Sequence, residues 1–454
     1  MGKYWLLLTC LVLLSPYTSP IARAQTGTAP KVSSKKEDLI QQFYGRPSIP
    51  DCNERATKGC LKNLREKNNC ERCNLKGVSL QNSRLPGAKL KQANLTGADL
   101  TNANLAGADL SGAKLLRSIL TASNLKKANL NRANLSDSNM DDIQLSGANL
   151  DGADLRQISM RFSVLKGASL KGANLTGSYL LEANMSQSDL NSATLIDADF
   201  TRGQLQKVQA YKANFNGANL LQADLSNSNL NRAQFYEAKL ENAILRGARL
   251  TNANLGHANL INANLEDTDL RRANLNNANL MRANLGGANL SEANLSEANL
   301  SGINLVGATL TGVDFKGANL RGANLSGVDL EGANLEKAKL TGANMEQVNL
   351  KSANLEQAKL IGVNLQQSNL ENAYLSGTDH REANFRGAIL TGANLKGARL
   401  NRADFTDADL SRANLFDAHI DKAIFLDTNL QNTIWINGKT CQTGSIGRCI
   451  QSSN

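Results

Sequence analysis

The stretch Ala93-Asn94-Leu95-Thr96-Gly97-Ala98-Asp99-Leu100-Thr101-Asn102-Ala103-Asn104-Leu105 repeats one five-residue phrase: a small residue, Asn or Asp, Leu, then two polar or glycine residues. Outward from it, between Leu75 and Leu430, nearly every residue whose number is a multiple of five is Leu, Phe, Met or Ile. The clear exceptions are Ala210 and His380, and no insertion or deletion breaks the frame. An α-helix cannot use this period, because five residues advance it by about 500° and successive leucines would spiral round its surface. A plain strand fails as well, since its faces alternate every two residues and five is odd. The pattern closes if each unit is a short extended piece followed by a corner. The small residue and the Leu, two apart, then both face inward; the Asn or Asp between them faces out, and the next two residues turn the chain.

Corners of one sense close a polygonal coil, and coils stack at the roughly 4.8 Å spacing of neighbouring strands. The leucines then form one apolar column, each worth roughly 1.5–3 kcal/mol on burial. Ordering entropy offsets most of that sum, so stability is expected to be shared between adjacent coils. Composition agrees with one repeated phrase better than with two or three ordinary domains. Over 454 residues only 4% are aromatic and six are proline, whereas cores of that size normally use more large rings.

The ends depart from the phrase. Lys3, the apolar run Trp5 to Leu14 and Ala22-Arg23-Ala24 read as a cleavable export signal over residues 1–24. That run is shorter than the roughly 20 residues a bilayer span needs, so no stable membrane anchor is expected after cleavage. Residues 25–34 read as a flexible mature N-terminus and 35–73 as a helical, cysteine-containing cap, with helix candidates at Glu37 to Phe43 and Thr57 to Asn68. The repeats occupy 74–435, and 436–454 form a second cap, in which Trp435 holds the Leu register and Asn437-Gly438 offers a tight turn. Beyond the signal the cysteines are Cys52, Cys60, Cys70, Cys73, Cys441 and Cys449, all outside the body of the repeats. An even count in an exported chain reads as disulfide stapling of the two caps. Distance from the other four nearly forces Cys441 onto Cys449; the remaining pairing is open. Cys70-x-x-Cys73 lacks the βαβ context of a redox motif, and the N-terminal spacing fits no common zinc module. No metal and no cofactor are expected.

Net charge is +10. The signal contributes two of these positive charges, segment 25–73 four and the tail two, which leaves about +2 spread over the repeats with both signs mixed. A nucleic-acid groove needs a coherent basic stripe, so none is expected. His257 and His419 face outward in this register. His380 faces inward, which calls for a local bulge or a hydrogen-bonded interior imidazole, and Ala210 marks a thin spot, a loop or a cavity. With no nucleophile and base grouped on one face and no phosphate-cradling loop, catalysis is not expected. Stacking at twenty residues aligns Leu181, Leu221, Ile261, Met281 and Ile361 in one broken apolar stripe, a candidate surface for a protein partner or self-association. Thr96, Thr101, Thr121 and Thr176 do not stack regularly, which weighs against an ice- or polysaccharide-binding ladder.

The tandem Ala-Asn/Asp-Leu-x-x phrase resembles the pentapeptide-repeat family over about four-fifths of the chain. The resemblance implies an all-β fold: a right-handed quadrilateral β-helix with four units per coil, about 18 coils here, on the order of 85 Å at strand spacing. Cys70-Glu71-Arg72-Cys73-Asn74-Leu75 is similar to the cysteine-pair lead-in of exported members from photosynthetic bacteria. The export signal, the capped solenoid and the absence of catalytic groupings together point to a binding or scaffold rod in the periplasm or thylakoid lumen, or outside the cell; the fold alone does not supply a role. Some members inhibit a type II topoisomerase by mimicking duplex DNA; that role requires a strongly negative surface, which these near-neutral repeats lack.

Overall fold

A computed structural model describes residues 54–451; the expected signal, the flexible segment, the first helix candidate and Cys52 lie outside the described residues. From Asn69 to Asn414, with one lapse described below, bridging residues pair in parallel with the residue twenty positions later, as in Asn94↔Lys114, Asp99↔Ile119, Asn104↔Asn124 and Asp109↔Asn129. Four pentapeptides therefore complete one coil, and the bridge on each side is carried by the Asn/Asp position. Sides are short because a corner follows every extended pair. At each corner from Arg72 to Asn432 the second residue after the Leu position has positive φ, the conformation a type II turn demands at its third residue. Glycine adopts it freely. Phe162, at φ 58°, adopts it against steric cost.

The repeating phrase follows from where the five backbone donors go. Leu95 N donates to Lys114 O at 2.7 Å and Gly97 N to Leu116 O at 2.9 Å, both in the next coil. Ala98 N closes the corner onto Leu95 O at 2.9 Å, and Asn94 N reaches back to Cys73 O at 2.8 Å. The fifth donor, Thr96 N, has no carbonyl to meet and is taken by Asn94 Oδ1 at 3.2 Å. Asn or Asp is thus favoured at this position, because a short side chain with an acceptor two bonds past Cβ closes this ring, although Lys114 and Ile119 keep the ladder without it. Asn does more than Asp, since its amide also donates to the coil below. The series Asn384→Asn364 at 3.0 Å, Asn364→Asn344 at 3.3 Å and Asn344→Asn324 at 3.4 Å runs along one side.

Inside, the Leu and small-residue columns are essentially fully buried. The columns tolerate exceptions when neighbours compensate. Ala210 leaves no loop: Ala210 N still donates to Asn229 O at 2.8 Å and Asn229 N to Val208 O at 2.9 Å. The volume it gives up is balanced within the same coil by Phe200, Phe215 and Val208, with Phe215 edge-on to Phe200 (6.1 Å) and stacked on Phe235 (4.9 Å). Gly203 belongs to this arrangement, because an added Cβ would stand 2.9 Å from Phe200 O and 3.2 Å from Leu205 Cδ1. His380 does not bulge either. Its amide keeps the bond to Arg399 O at 2.8 Å, and the ring is completely buried beside Phe385, at 5.1 Å. Neither ring nitrogen has a hydrogen-bond partner, so the expected interior hydrogen bond is absent. The register of twenty places Leu360 and Leu400 below and above that position, and the nearby inward hydroxyl of Thr378 donates to Leu375 O instead.

The parallel pairing lapses between Thr309 and Asp329, while Asn289↔Thr309 below and Asp329↔Asn349 above are kept. Val328 and Val348 stack here in consecutive coils of the small column, above Ala308, which becomes 8% exposed. At small positions elsewhere a branched residue is followed one coil later by Ala or Ser, as at Val313 and Ala333 or Ile158 and Ser178. Two adjacent branched side chains are more than the narrow coil holds.

Candidate interaction surfaces

The N-terminal end is closed by a helix, α1 (Glu54–Lys67), whose Leu64 is buried and whose Cys60 and Leu61 pack on the core. Arg65 and Lys67 sit in its last turn, where cations complement the helix dipole. Asn68 stops it in the left-handed region (φ 51°), with its N bonded to Leu64 O at 3.1 Å. Cys70 then takes the Leu position of the first corner and Cys73 the small position, and the two are disulfide-bonded with Cα atoms 5.2 Å apart. Cys60 carries a free thiol. Among the described residues these three cysteines are the one group whose ligand atoms cluster, all within 4.8 Å; two are engaged in the disulfide, so the set cannot act as three thiolates.

At the other end the coil changes partner. Parallel pairing ends at Arg399↔His419 and Asp404↔Ile424 on two sides, while the other two continue as antiparallel pairs, Asn429↔Ile446 and Ile434↔Thr440. Gly438, at φ 80°, turns the chain back, and Cys441 bonded to Cys449 holds the returning segment. Phe385, Phe405 and Phe425 stack beneath this cap at 4.7 and 5.2 Å, ending edge-on against Trp435 at 5.5 Å. Around the end Phe416, Ile424, Leu426, Ile446 and Ile450 are exposed. This apolar rim was legible as a lapse in grammar: Ile424 and Ile434 stand where Asn or Asp belongs, and Leu426 where a polar corner residue belongs. It forms no stripe at twenty-residue spacing because an end has no further coil to repeat in.

The stripe itself is weaker than the spacing suggests. Leu181, Leu221, Ile261, Met281 and Ile361 share one corner, but all are half-buried. Thr201, Glu241, Ser301, Arg321 and Thr341 interrupt them, so only Ile261 and Met281 occupy consecutive coils.

Charges of opposite sign neighbour one another across the sides. Arg272 pairs with Glu292 at 2.8 Å and Lys351 with Glu371 at 2.9 Å, each one coil apart. Hydrogen bonds from Arg156, Arg271 and Arg381 hold the carboxyls of Asp154, Asp269 and Asp379 below their ordinary range. His380 is pushed down to about 3 by burial, against a smaller opposing pull from Asp379. An open groove of about 460 Å³ is lined by Lys212, Arg232, Gln234 and Asn252, with no acid–base partner among them. His257 lies edge-on to Tyr236 at 5.3 Å on the surface. No described helix is long and apolar enough to cross a membrane.

Such a molecule is a β-solenoid repeat protein with closed ends. The family model described as "Pentapeptide repeats (8 copies)" matches it in successive stretches from residues 69–105 to 368–407. The chain belongs to the pentapeptide-repeat family, whose fold is the right-handed quadrilateral β-helix. Similar solved structures include HetL, a pentapeptide repeat protein involved in heterocyst differentiation regulation from the cyanobacterium Nostoc sp. strain PCC 7120. It is 31% identical, over 49% of this chain and 91% of that one, with a TM-score of 0.28. Full-length QnrB1, a plasmid-mediated fluoroquinolone resistance protein, is 22% identical over 45% and 93%, with a TM-score of 0.23. AT2G44920, from the Arabidopsis thaliana thylakoid lumen, is 28% identical over 25% and 67%, with a TM-score of 0.17. No curated protein matches the chain.

Proposed function

We propose that this protein is an exported, non-catalytic scaffold that binds another protein, working in the periplasm, the thylakoid lumen or outside the cell. Its repeats form a rod of about 18 coils, on the order of 85 Å long at strand spacing, with the disulfide-closed segment 436–454 as its C-terminal cap. The supporting observation is the surface: flat sides of regularly spaced polar side chains with mixed charge, and an exposed apolar rim at the C-terminal end, including Ile424, Leu426 and Ile446. Large apolar side chains left exposed at one end favour protein contact, and repeated polar sides favour a scaffold over a pocket. The export signal at residues 1–24 and the paired cysteines support an oxidising compartment.

The test is fractionation of cells followed by recovery of the mature chain with its bound proteins. A processed N-terminus near Gln25 outside the cytoplasm, and a partner lost on replacing Ile424 and Leu426 with Ser, is the expected result. An intact N-terminus in the cytoplasm overturns the location. Partner recovery unchanged by those replacements, and by Ser at Ile261 and Met281, overturns both proposed contact surfaces.

A further inference from the structure

The three-cysteine cluster at the N-terminal end carries a chemistry that a structural staple does not need. A bonded pair requires no third sulfur, yet the free thiol of Cys60 on α1 lies within 4.8 Å of both Cys70 and Cys73. The Cys70 Sγ also rests 3.2 Å from the Cys60 carbonyl oxygen. As a half-cystine it has no proton to donate, so this contact simply seats the disulfide against the helix. We propose that Cys60 is an exchange nucleophile that moves this disulfide from the first corner to the junction between α1 and the coil.

The step is self-contained. The Cys60 thiolate attacks Sγ of Cys70, the Cys60–Cys70 bond forms, and the Cys70–Cys73 bond breaks with its electron pair leaving on Cys73. Cys73 takes up the proton that Cys60 released. One disulfide and one thiol are present before and after, so neither an oxidant nor a reductant is consumed.

Burial sets the direction. Cys70 is only 2% exposed, whereas Cys73 is half-buried. Attack on Cys70 expels a thiolate that water can reach; attack on Cys73 would leave the charge on Cys70, inside the core, where desolvation opposes it. The two pairings also differ in what they hold. Cys70–Cys73 closes a three-residue separation within one corner, so it constrains little beyond that turn. Cys60–Cys70 would tie α1 to the first coil and fix the helix over an end that otherwise exposes an unpaired strand edge. The exchanged form presents Cys73 as the free thiol, so the site's reaction partners are thiols and disulfides in solution.

The experiment uses the full chain with Cys10→Ser and Cys52→Ser, which retains all three cluster cysteines. The protein is held at pH 8, acid-quenched, alkylated and mapped by mass spectrometry. Label divided between Cys60 and Cys73, with none on Cys70, is the expected pattern. Label confined to Cys60, or appearing on Cys70, overturns the proposal. In a second chain that also carries Cys73→Ser, glutathione disulfide should drive the Cys60–Cys70 bond to completion while the β-type circular dichroism is unchanged. Loss of the β signal in that chain leaves the first mapping to decide. A folded chain in which Cys60 and Cys70 both remain alkylatable sinks the idea.

Discussion

Replacing His380 with Leu should stabilise the centre of its coil and remove a pH dependence from it. In the folded chain the imidazole is neutral, completely buried, and leaves a donor and an acceptor unmatched. Each unmatched group costs about 1–3 kcal/mol. Leu restores the apolar column between Leu360 and Leu400, so the His380→Leu chain should gain about 2–4 kcal/mol at pH 7.5. The pH effect follows from linkage. Burial lowers the ring from 6.5 to about 3, so below pH 6.5 the unfolded chain binds a proton that the folded chain refuses. Stability is therefore present in full above that value and is lost as pH falls towards about 3. The complete difference is worth about 5 kcal/mol, of which about 2 kcal/mol is gone by pH 5.

A long repeat array need not unfold in one step, so the measurement must be local. Hydrogen exchange at the amides of residue 380 and Ala383, which bond to Arg399 O and to residue 380 O, reads opening of this coil. In the parent chain the protection factors should fall about thirtyfold between pH 7.5 and pH 5, the equivalent of about 2 kcal/mol. In the Leu variant they should be higher at the start and nearly constant. Equal losses in the two chains, or a Leu variant less protected at pH 7.5, would refute the assignment of His380 as a buried, unpartnered base.

Asn364 tests the ladder grammar: Asp keeps the bonds accepted from Gln366 N and Asn384 but cannot donate to Asn344. Asn364→Asp should therefore lose about 1 kcal/mol and keep Gln366 protected from exchange, whereas Asn364→Ala should lose about 2–3 kcal/mol and expose it. Gly203→Ala would place a Cβ 2.9 Å from Phe200 O and should cost about 1–3 kcal/mol in chemical denaturation; a neutral effect would show that the corner relaxes freely. Val328→Ala should restore the missing pairing between Thr309 and Asp329, read as new exchange protection at Asp329 and Leu310, despite removing buried methyl groups. No gain there would mean that stacked branched side chains do not cause the lapse.

Much of the architecture could be read directly from the chain. A frame of five that holds from Leu75 to Leu430 excludes helix and plain strand alike, and it assigns inward and outward positions. The same frame misjudged its two exceptions. Ala210 keeps its ladder because Phe200, Phe215 and Val208 fill the coil around it, and a per-position pattern does not add volumes within one coil. His380 keeps its place because its amide still bonds to Arg399 O, while the ring packed beside Phe385 finds no partner for either nitrogen.

What sequence alone determined, then, is the periodic part, since a repeated phrase with one short period leaves the backbone very few ways to bury its leucines. What tertiary structure decided lies where repetition stops. The function of Asn as acceptor for the fifth amide, the apolar rim at Ile424 and Leu426, and the meeting of Cys60 with Cys70 and Cys73 all depend on which atoms come close across coils or at an end. Those proximities come from closure of the coil and the route of the caps, which a linear pattern does not encode.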